Sequence, residues 1–290
     1  MEKEILLGLI GHPVSHSLSP EIHRAIMASL TMSGDYNLID VEAPFLEEKV
    51  SELKQLGYRG LNVTIPHKIN AMKIMDSVDR KAQVAGAINT IHIDGESGRL
   101  TGYNTDVDGF RQALFSKKRE VECCLIFGLG GAARACLTAL ADLDKPPKKI
   151  YLVGRDPVKA GQLASQLMDK KFFKGSGISP FDPQKERLRA LQISPDLFVN
   201  ASPLGQGVAL SERYISLMKE FREVEGNLQS KLVFDLVYSK DAHLPTATVA
   251  LAKNLGLCAL DGFEMLVCQA VKAFEIWTGK SVPPEKVQIR

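Results

Sequence analysis

CCLIFGLGGAARACL, residues 123–137, is the stretch that decides the fold of this chain. Its first five residues are apolar, as in a strand that is buried on both faces of a parallel sheet. A glycine turn follows, with Gly128, Gly130 and Ala133 at the three positions of a G-x-G-x-x-A motif, and the small and apolar residues after it predict a helix packed on the sheet. Such a turn lets backbone approach a pyrophosphate, and the helix N-terminus offers unpaired N–H groups to its charge. The stretch therefore predicts a dinucleotide site.

The composition is that of a globular protein with room for about two domains. The chain has 290 residues, of which 45% are hydrophobic and 24% are charged, enough apolar side chains for a sizeable core. Its formal net charge of +2, without a stripe of lysine and arginine, argues against a nucleic acid or an anionic membrane as partner. Apolar runs stay short of the roughly 18 residues that a membrane span needs. At the N-terminus, acidic residues precede a brief apolar run, which predicts a strand and not a secretory signal.

The cysteines and histidines argue against disulfides and metal. None of the 5 cysteines stands in a C-x-x-C pair, and several have apolar neighbours, so we expect reduced, buried thiols in a cytoplasmic protein. His12 and His16 flank Pro13 in a predicted loop, where no helix would direct both rings at one ion. We therefore expect no metal site.

The first part of the chain alternates predicted strands and helices. In the helices, apolar residues recur at intervals of three and four. The sequence Ser19-Pro20-Glu21 predicts a helix start with Ser19 as the N-cap. A helix at about 77–84 and a hairpin with its turn at 94–98 are predicted further on. This pattern is typical of βαβ units with a parallel sheet, and because it carries no glycine motif, this part should bind something other than the dinucleotide.

The second part continues the alternation from the quoted stretch to a strand at about 257–260, and a strongly helical segment follows it. We expect an α/β protein of two domains. Residues 1–106 would form an N-terminal α/β domain that binds the substrate and carries out catalysis, completed by the C-terminal helices at 263–290. Residues 107–262 would form a Rossmann-type domain with a doubly wound parallel sheet. The C-terminal helix should return to the first domain and line the cleft.

Lys68 and Asp106 stand at two places where a ligand could bind. Lys68 follows the buried strand LNVTIP, and open α/β sheets bind their ligands at the carboxyl ends of their strands. Asp106 follows the polar pair Asn104 and Thr105, at the junction of the predicted domains. Two alternatives stay open at this point, namely a solvated lysine and an aspartate that caps the next helix.

Eight short motifs match those of one enzyme family. In chain order they are SHSLSP, LNVTIPHK, GAINT, YNTD, GLGGAA, NASPLG, DLVY and DGFEMLVCQA. Over nearly the whole chain, their order and approximate spacing resemble those of the shikimate dehydrogenases and their relatives, the quinate/shikimate dehydrogenases. The resemblance implies a reversible, NADPH-dependent reduction of 3-dehydroshikimate to shikimate, in the shikimate pathway to chorismate and the aromatic amino acids.

The resemblance also implies roles for individual residues. Lys68 would donate to the reacting carbonyl and supply the proton, while Asp106 holds it in line. The residues implied to bind the substrate carboxylate are Ser17, Ser19 and Tyr238. Those implied to bind the ring hydroxyls are Thr64, Asn89 and Gln269, with Asn62, on the same face of its strand as Thr64, as a weaker candidate. For Gln269 the alternative is a polar side chain on a helix surface.

For the cofactor, the resemblance implies NADP. The residues implied to cradle the pyrophosphate are Gly128, Gly130, Gly131 and Ala132. Arg155 and Lys159 match the cations that hold the 2′-phosphate, and Leu236 and Gly262 would approach the nicotinamide through their backbones. Asp156 departs from the family pattern, since an acidic residue at this turn can bind a free ribose diol, as in enzymes that use NAD. Two cations against one anion favour NADP, and NAD stays possible.

Two alternatives to an NADP-dependent shikimate dehydrogenase remain. One is a quinate/shikimate dehydrogenase that uses NAD, which Asp156 and the sequences SHSLSPE and WTGK would fit. The other is a non-catalytic nucleotide-binding relative, although such a protein need not keep the proton-transfer pair Lys68 and Asp106. In each case the expected partners are small molecules, with no nucleic acid and no membrane. The expected oligomeric state is a monomer or a homodimer.

Overall fold

The strands of the described residues form two six-stranded sheets in the computed structural model of the protein. The structure describes residues 4–118, 120–168, 173, 175–241, 243–287 and 289. They divide into two units, one with the chain up to Gln112 and from Met265 onward, the other with Ala113–Glu264. That the first unit serves the substrate and the second the cofactor, with boundaries at 106 and 262, stays a prediction.

Strands and helices alternate along most of the chain. The strands are β1 Ile5–Gly11, β2 Gly34–Asp40, β3 Gly60–Val63, β4 Ser77–Val78, β5 Thr90–Ile93, β6 Leu100–Tyr103, β7 Cys123–Phe127, β8 Lys149–Val153, β9 Gly177–Pro180, β10 Leu197–Asn200, β11 Leu232–Asp235 and β12 Cys258–Leu260. The α-helices are α1 Ser19–Ser29, α2 Leu46–Gln55, α3 Arg80–Ala85, α4 Thr105–Lys117, α5 Gly131–Ala141, α6 Pro157–Met168, α7 Glu212–Glu223, α8 Ala247–Asn254 and α9 Phe263–Thr278.

The first unit contains a mixed sheet with the strand order β2-β1-β3-β5-β6-β4. The predicted parallel arrangement holds for β1, β2 and β3. Strand β5 runs antiparallel to both β3 and β6, so the predicted hairpin is confirmed as β5–β6. Because of these directions, the carboxyl ends of β1, β3 and β6 and the amino end of β5 lie at one edge of the sheet.

Two predicted helix starts in the first unit are wrong. Helix α1 begins one residue early, at Ser19 itself, and its capping residue Leu18 makes no side-chain bond. Ser19 is therefore not the N-cap, and its hydroxyl oxygen accepts a bond from Ser17 instead. The helix predicted at 77–84 begins only at Arg80, because the carboxylate of Asp79 accepts bonds from the N–H groups of Lys81 and Ala82. The two residues before Asp79 pair with β6 as strand β4.

The second unit contains a parallel sheet with the strand order β12-β11-β10-β7-β8-β9. The order of strands along the chain reverses between β7 and β10, which is the arrangement of a doubly wound sheet. All six strands are parallel, so the predicted Rossmann-type sheet is confirmed. Its core includes Phe198 of β10, and Tyr214 and Phe221 of α7 pack against that ring edge-on, with centroid distances of 5.4 and 5.6 Å.

Helix α9 follows the last strand of the second sheet and packs against the first sheet. The indole nitrogen of Trp277 donates to the carbonyl oxygen of Ile91 in β5 at 2.9 Å. The ring of Phe274 lies 6.3 Å from that of His23 in α1. The predicted return of the C-terminal helix is therefore confirmed.

One prediction about the cysteines is wrong. None of the five thiols forms a disulfide among the described residues, but only Cys124, Cys136 and Cys268 are buried, while Cys258 is exposed. Cys258 opens β12, the edge strand that pairs with β11. In the described part of the chain, no helix is both long enough and apolar enough to cross a membrane.

Candidate active site

Lys68 and Asp106 form an ion pair at the edge of the first sheet where β3 and β6 end. The Nζ atom of Lys68 lies 2.5 Å from Oδ2 of Asp106, and the side chains are only 17% and 9% exposed. Lys68 follows the turn after β3, and Asp106 lies in the first turn of α4. The two predicted catalytic residues are thus brought together, and neither alternative, a solvated lysine or a capping aspartate, describes them.

Asn89 and Gln269 adjoin this pair. The amide nitrogen of Asn89 donates to Oδ1 of Asp106 at 2.9 Å and lies 3.3 Å from Oε1 of Gln269. Gln269 belongs to α9, and it reaches the site because α9 lies close to α4. A Cβ atom at Gly109 of α4 would be 2.8 Å from the carbonyl oxygen of Met265. Gln269 is buried and does not lie on a helix surface.

Ser17, Ser19 and Thr64 lie at the same edge of the sheet. Ser17 donates through its hydroxyl to the hydroxyl of Ser19 at 3.0 Å, and its own oxygen accepts the backbone N–H of Ser19 at 3.1 Å. The residue after β3 is Thr64, whose N–H donates to Ile10 of β1. Hydroxyl donors of this kind suit a carboxylate or a polyhydroxylated ring.

Asn62, the weaker candidate for binding the ring hydroxyls, is not available to a ligand. Its side chain is buried, and its oxygen accepts bonds from Tyr36 at 2.7 Å and from His23 at 3.1 Å. Its nitrogen lies 3.3 Å from the carbonyl oxygen of Asn89. The sequence reasoning missed this polar cluster, although the alternation that placed Asn62 and Thr64 on one face was the signal that could have led to it.

In the second unit, the glycine turn has the form that an anion site requires. Gly128 has a φ of +129°, and a Cβ there would lie 2.5 Å from the carbonyl oxygen of Ala201, after β10. Gly130 precedes α5 without a side-chain cap, and a Cβ there would meet nothing within 4 Å. Gly131 and Ala132 open the helix. The space beside Gly130, at the start of α5, is therefore open, and a helix N-terminus has unpaired N–H groups.

The turn after β8 carries two exposed cations and a carboxylate that is already engaged. Arg155 and Lys159 are exposed. The Oδ1 atom of Asp156 accepts the backbone N–H groups of Val158 at 2.9 Å and of Lys159 at 3.3 Å, so it caps α6. This cap engages one of the two oxygens of the Asp156 carboxylate.

Leu236 and Gly262 meet through their backbones in the second unit. A Cβ at Gly262 would lie 2.2 Å from the carbonyl oxygen of Leu236, and the Gly262 N–H donates to the carbonyl of Val237 at 3.0 Å. Tyr238 follows this contact and is partly buried. That Tyr238 joins Ser17 and Ser19, which belong to the other unit, in one carboxylate site stays a prediction.

Asp235 is a buried carboxylate that sequence reasoning missed, although it begins the quoted DLVY motif. Its oxygens accept bonds from Asn200 at 2.7 Å and from Thr246 at 2.6 Å. Burial raises the pKa of Asp235 to about 6, and the bonds from Thr246 and Asn200 oppose that rise. Asp235 thereby connects the ends of β10 and β11 with the start of α8.

Comparison with known proteins identifies the family. A family model of the shikimate dehydrogenase substrate binding domain matches residues 9–91, and one of the shikimate 5'-dehydrogenase C-terminal domain matches residues 262–288. The "Shikimate dehydrogenase (NADP(+))" of Bacillus subtilis is 34% identical, over 98% of this chain and 95% of that one.

Solved structures agree. One of a shikimate dehydrogenase in complex with NADP+ has a TM-score of 0.80 at 34% identity and covers 98% of this chain and 93% of that one. One of shikimate 5-dehydrogenase from Listeria monocytogenes, in complex with shikimate and NAD, has a TM-score of 0.78 at 28% identity, with coverages of 99% and 96%. Sequence and fold thus agree over almost the full length, and the chain belongs to the shikimate dehydrogenase family.

Proposed function

We propose that this protein is an NADP-dependent shikimate dehydrogenase, which reversibly reduces 3-dehydroshikimate to shikimate in the pathway to chorismate and the aromatic amino acids. The observation that carries the proposal is the ion pair of Lys68 and Asp106, 2.5 Å apart, with Asn89 and Gln269 beside it. A proton donor held among buried polar groups is what the reduction of a ring carbonyl needs. The full-length similarity to an enzyme named "Shikimate dehydrogenase (NADP(+))" supports the same function.

Lys68 acts on the oxygen of the reacting carbonyl. Bound NADPH supplies the hydride. The Lys68 ammonium donates a hydrogen bond to the carbonyl oxygen, stabilises the negative charge that develops there and transfers a proton to that oxygen. In the oxidation of shikimate, the neutral amine accepts the proton of the hydroxyl. Asp106 keeps the Nζ atom in place through both directions, and Asn89 holds Asp106 by its second oxygen.

The substrate is held by hydroxyl and amide groups. Ser17 and Ser19 bind the carboxylate, and Thr64, Asn89 and Gln269 bind the ring hydroxyls. Polar groups of this kind discriminate strongly, because an analogue that lacks a hydroxyl leaves a buried donor or acceptor unpaired. This is the reason to expect a preference for shikimate over simpler cyclic alcohols.

The cofactor is held by the second unit. Gly128, Gly130, Gly131 and Ala132 bind the pyrophosphate, Leu236 and Gly262 line the nicotinamide, and Arg155 with Lys159 binds the 2′-phosphate. The two exposed cations Arg155 and Lys159, against the one carboxylate of Asp156, support NADP over NAD. The quinate/shikimate dehydrogenase that uses NAD remains the second candidate, since the Listeria monocytogenes relative is a complex with NAD.

We place the enzyme in the cytoplasm, as a monomer or a homodimer that acts on small molecules alone. The lack of a disulfide among the cysteines of the described residues is typical of a reducing compartment.

Substitution of the lysine tests the function. Lys68→Ala should lower kcat for shikimate oxidation by about 10³-fold and leave NADPH binding, measured by fluorescence titration, unchanged. Lys81→Ala is the matched control, because Lys81 forms an ion pair with Asp108 in the same unit. If both variants turn over shikimate at the same rate, Lys68 has no part in the chemistry.

A further inference from the structure

Three buried side chains form a continuous chain of hydrogen bonds that ends at Asp106 of the ion pair. The amide nitrogen of Asn62 donates to the Thr90 hydroxyl at 3.2 Å. The Thr90 hydroxyl donates to Oδ1 of Asn89 at 3.0 Å, and Nδ2 of Asn89 donates to Oδ1 of Asp106 at 2.9 Å. We call Asn62, Thr90 and Asn89 the amide relay.

The orientation of the Asn89 amide follows from its neighbours. Oδ1 of Asn89 accepts the backbone N–H of Thr105 at 2.7 Å, and a backbone N–H can only donate. On the other side, the acceptor is the carboxylate of Asp106. The amide therefore has one possible orientation, with its nitrogen toward Asp106.

The orientation of Asn62 is equally determined. Its nitrogen faces the carbonyl oxygen of Asn89 at 3.3 Å, and a carbonyl can only accept. Its oxygen therefore faces Tyr36 and His23, and both must donate to it. Asn62 thus makes two bonds as a donor and two as an acceptor, which is the arrangement of a side chain with no rotational freedom left.

His23 and Tyr36 hold that amide from behind. Their rings are stacked, with centroids 4.2 Å apart and planes 7° from parallel. Burial lowers the pKa of His23 to about 3, against the opposing effect of its bond to Asn62, so the imidazole is neutral at physiological pH. With the proton on Nε2 for Asn62, Nδ1 is an acceptor, and it has no hydrogen-bond partner among the described residues.

Thr90 is the link between the two fixed amides. Its side chain is fully buried at the start of β5, and its hydroxyl also lies 3.1 Å from that of Thr105. We propose that Thr90 is a positioning residue of the reaction: its hydroxyl orders the amide relay and so holds Asp106 and Lys68 in the geometry for proton transfer. This inference rests on the proposed function, because it concerns the turnover of the same ion pair.

The test is removal of the hydroxyl at constant shape. Thr90→Val should lower kcat for shikimate oxidation about tenfold, which is the effect of one lost hydrogen bond at the upper end of its usual range. The KM for NADP should stay unchanged, and so should the Kd for NADPH measured by fluorescence titration. Thr90→Ser restores the hydroxyl and should recover most of the lost kcat. Thr101→Val is the control, because it removes a comparable hydroxyl contact, 3.0 Å from Ser77, in the same sheet.

A second variant perturbs the amide relay at Asn62, the member farthest from Asp106. Tyr36→Phe removes one donor to Asn62 and keeps the ring on His23, so it should lower kcat in the same direction and by less. The inference is overturned if Thr90→Val and Tyr36→Phe both keep the kcat of Thr101→Val, or if Thr90→Ser is no better than Thr90→Val. An unmodified chain that does not oxidise shikimate contradicts the proposed function itself, and the inference with it.

Discussion

At the scale of single residues, the proposed proton transfer depends on buried polar side chains that hydrogen bonds hold in place. Lys68 and Asp106 stand 38 positions apart, and their meeting could be predicted because strand ends and the family resemblance both indicate the same edge of the sheet. The roles of Thr90 and Asn62 could not be predicted. Alternation along a strand tells which face a side chain occupies, but the partner of an amide depends on the neighbouring strand and its register.

Asp235 gives a prediction about pH at this scale. Its pKa is about 6 in the fold and 3.8 for an ordinary aspartate, so folding favours its protonated form. The stabilisation is complete below about pH 4, and it is lost as the pH rises through about 6. Asp235→Asn stays uncharged, so its free energy of unfolding, relative to that of the unmodified chain, should rise by about 2 kcal/mol between pH 4 and pH 8.

The measurement is urea unfolding of both proteins across that range. Asp241→Asn, at an exposed position of the same unit, controls for the loss of one negative charge. A difference between Asp235→Asn and the unmodified chain that stays constant from pH 4 to pH 8 contradicts the assignment.

At the scale of elements, helix starts were harder to predict than helices. Ser19-Pro20-Glu21 has the composition of a capped helix start, yet the hydroxyl of Ser19 bonds to Ser17 and the helix already includes Ser19. The strand β7, the glycine turn and α5 were predicted correctly, because a buried strand, a turn that needs glycine and a helix of small residues follow one another without a competing pattern. In contrast, the role of Asp156 as the N-cap of α6 was not predicted, because it depends on the position of the backbone N–H groups of Val158 and Lys159.

The glycine turn gives a prediction from two adjacent positions. Gly128→Ala should destabilise the protein by about 1–3 kcal/mol, because of its positive φ and of the contact with Ala201. Gly130→Ala should leave stability unchanged, since its Cβ would enter open space. The same methyl group would occupy the predicted pyrophosphate site, so the Kd for NADPH should rise at least about tenfold, or about 1.4 kcal/mol.

Thermal unfolding and fluorescence titration separate the two effects. Gly130→Ala with unchanged NADPH affinity would show that the pyrophosphate lies elsewhere.

At the scale of the whole molecule, the pattern of strands and helices sufficed to predict two sheets and the return of the C-terminal helix. The strand order of the second sheet follows from the Rossmann topology. The mixed character of the first sheet was predictable only in part. Its hairpin was evident from the turn at 94–98, whereas β4 is two residues long, too short for an alternating pattern to reveal it.

The central claim, shikimate oxidation with NADP, is tested most directly by one assay of the purified chain. Reduced nicotinamide is followed by absorbance with shikimate or quinate as substrate, each with NADP or NAD. We expect the highest kcat/KM for shikimate with NADP, because two exposed cations, Arg155 and Lys159, face one carboxylate at this turn. A higher kcat/KM with NAD, or for quinate, or no reduced nicotinamide in any of the four combinations, would contradict it.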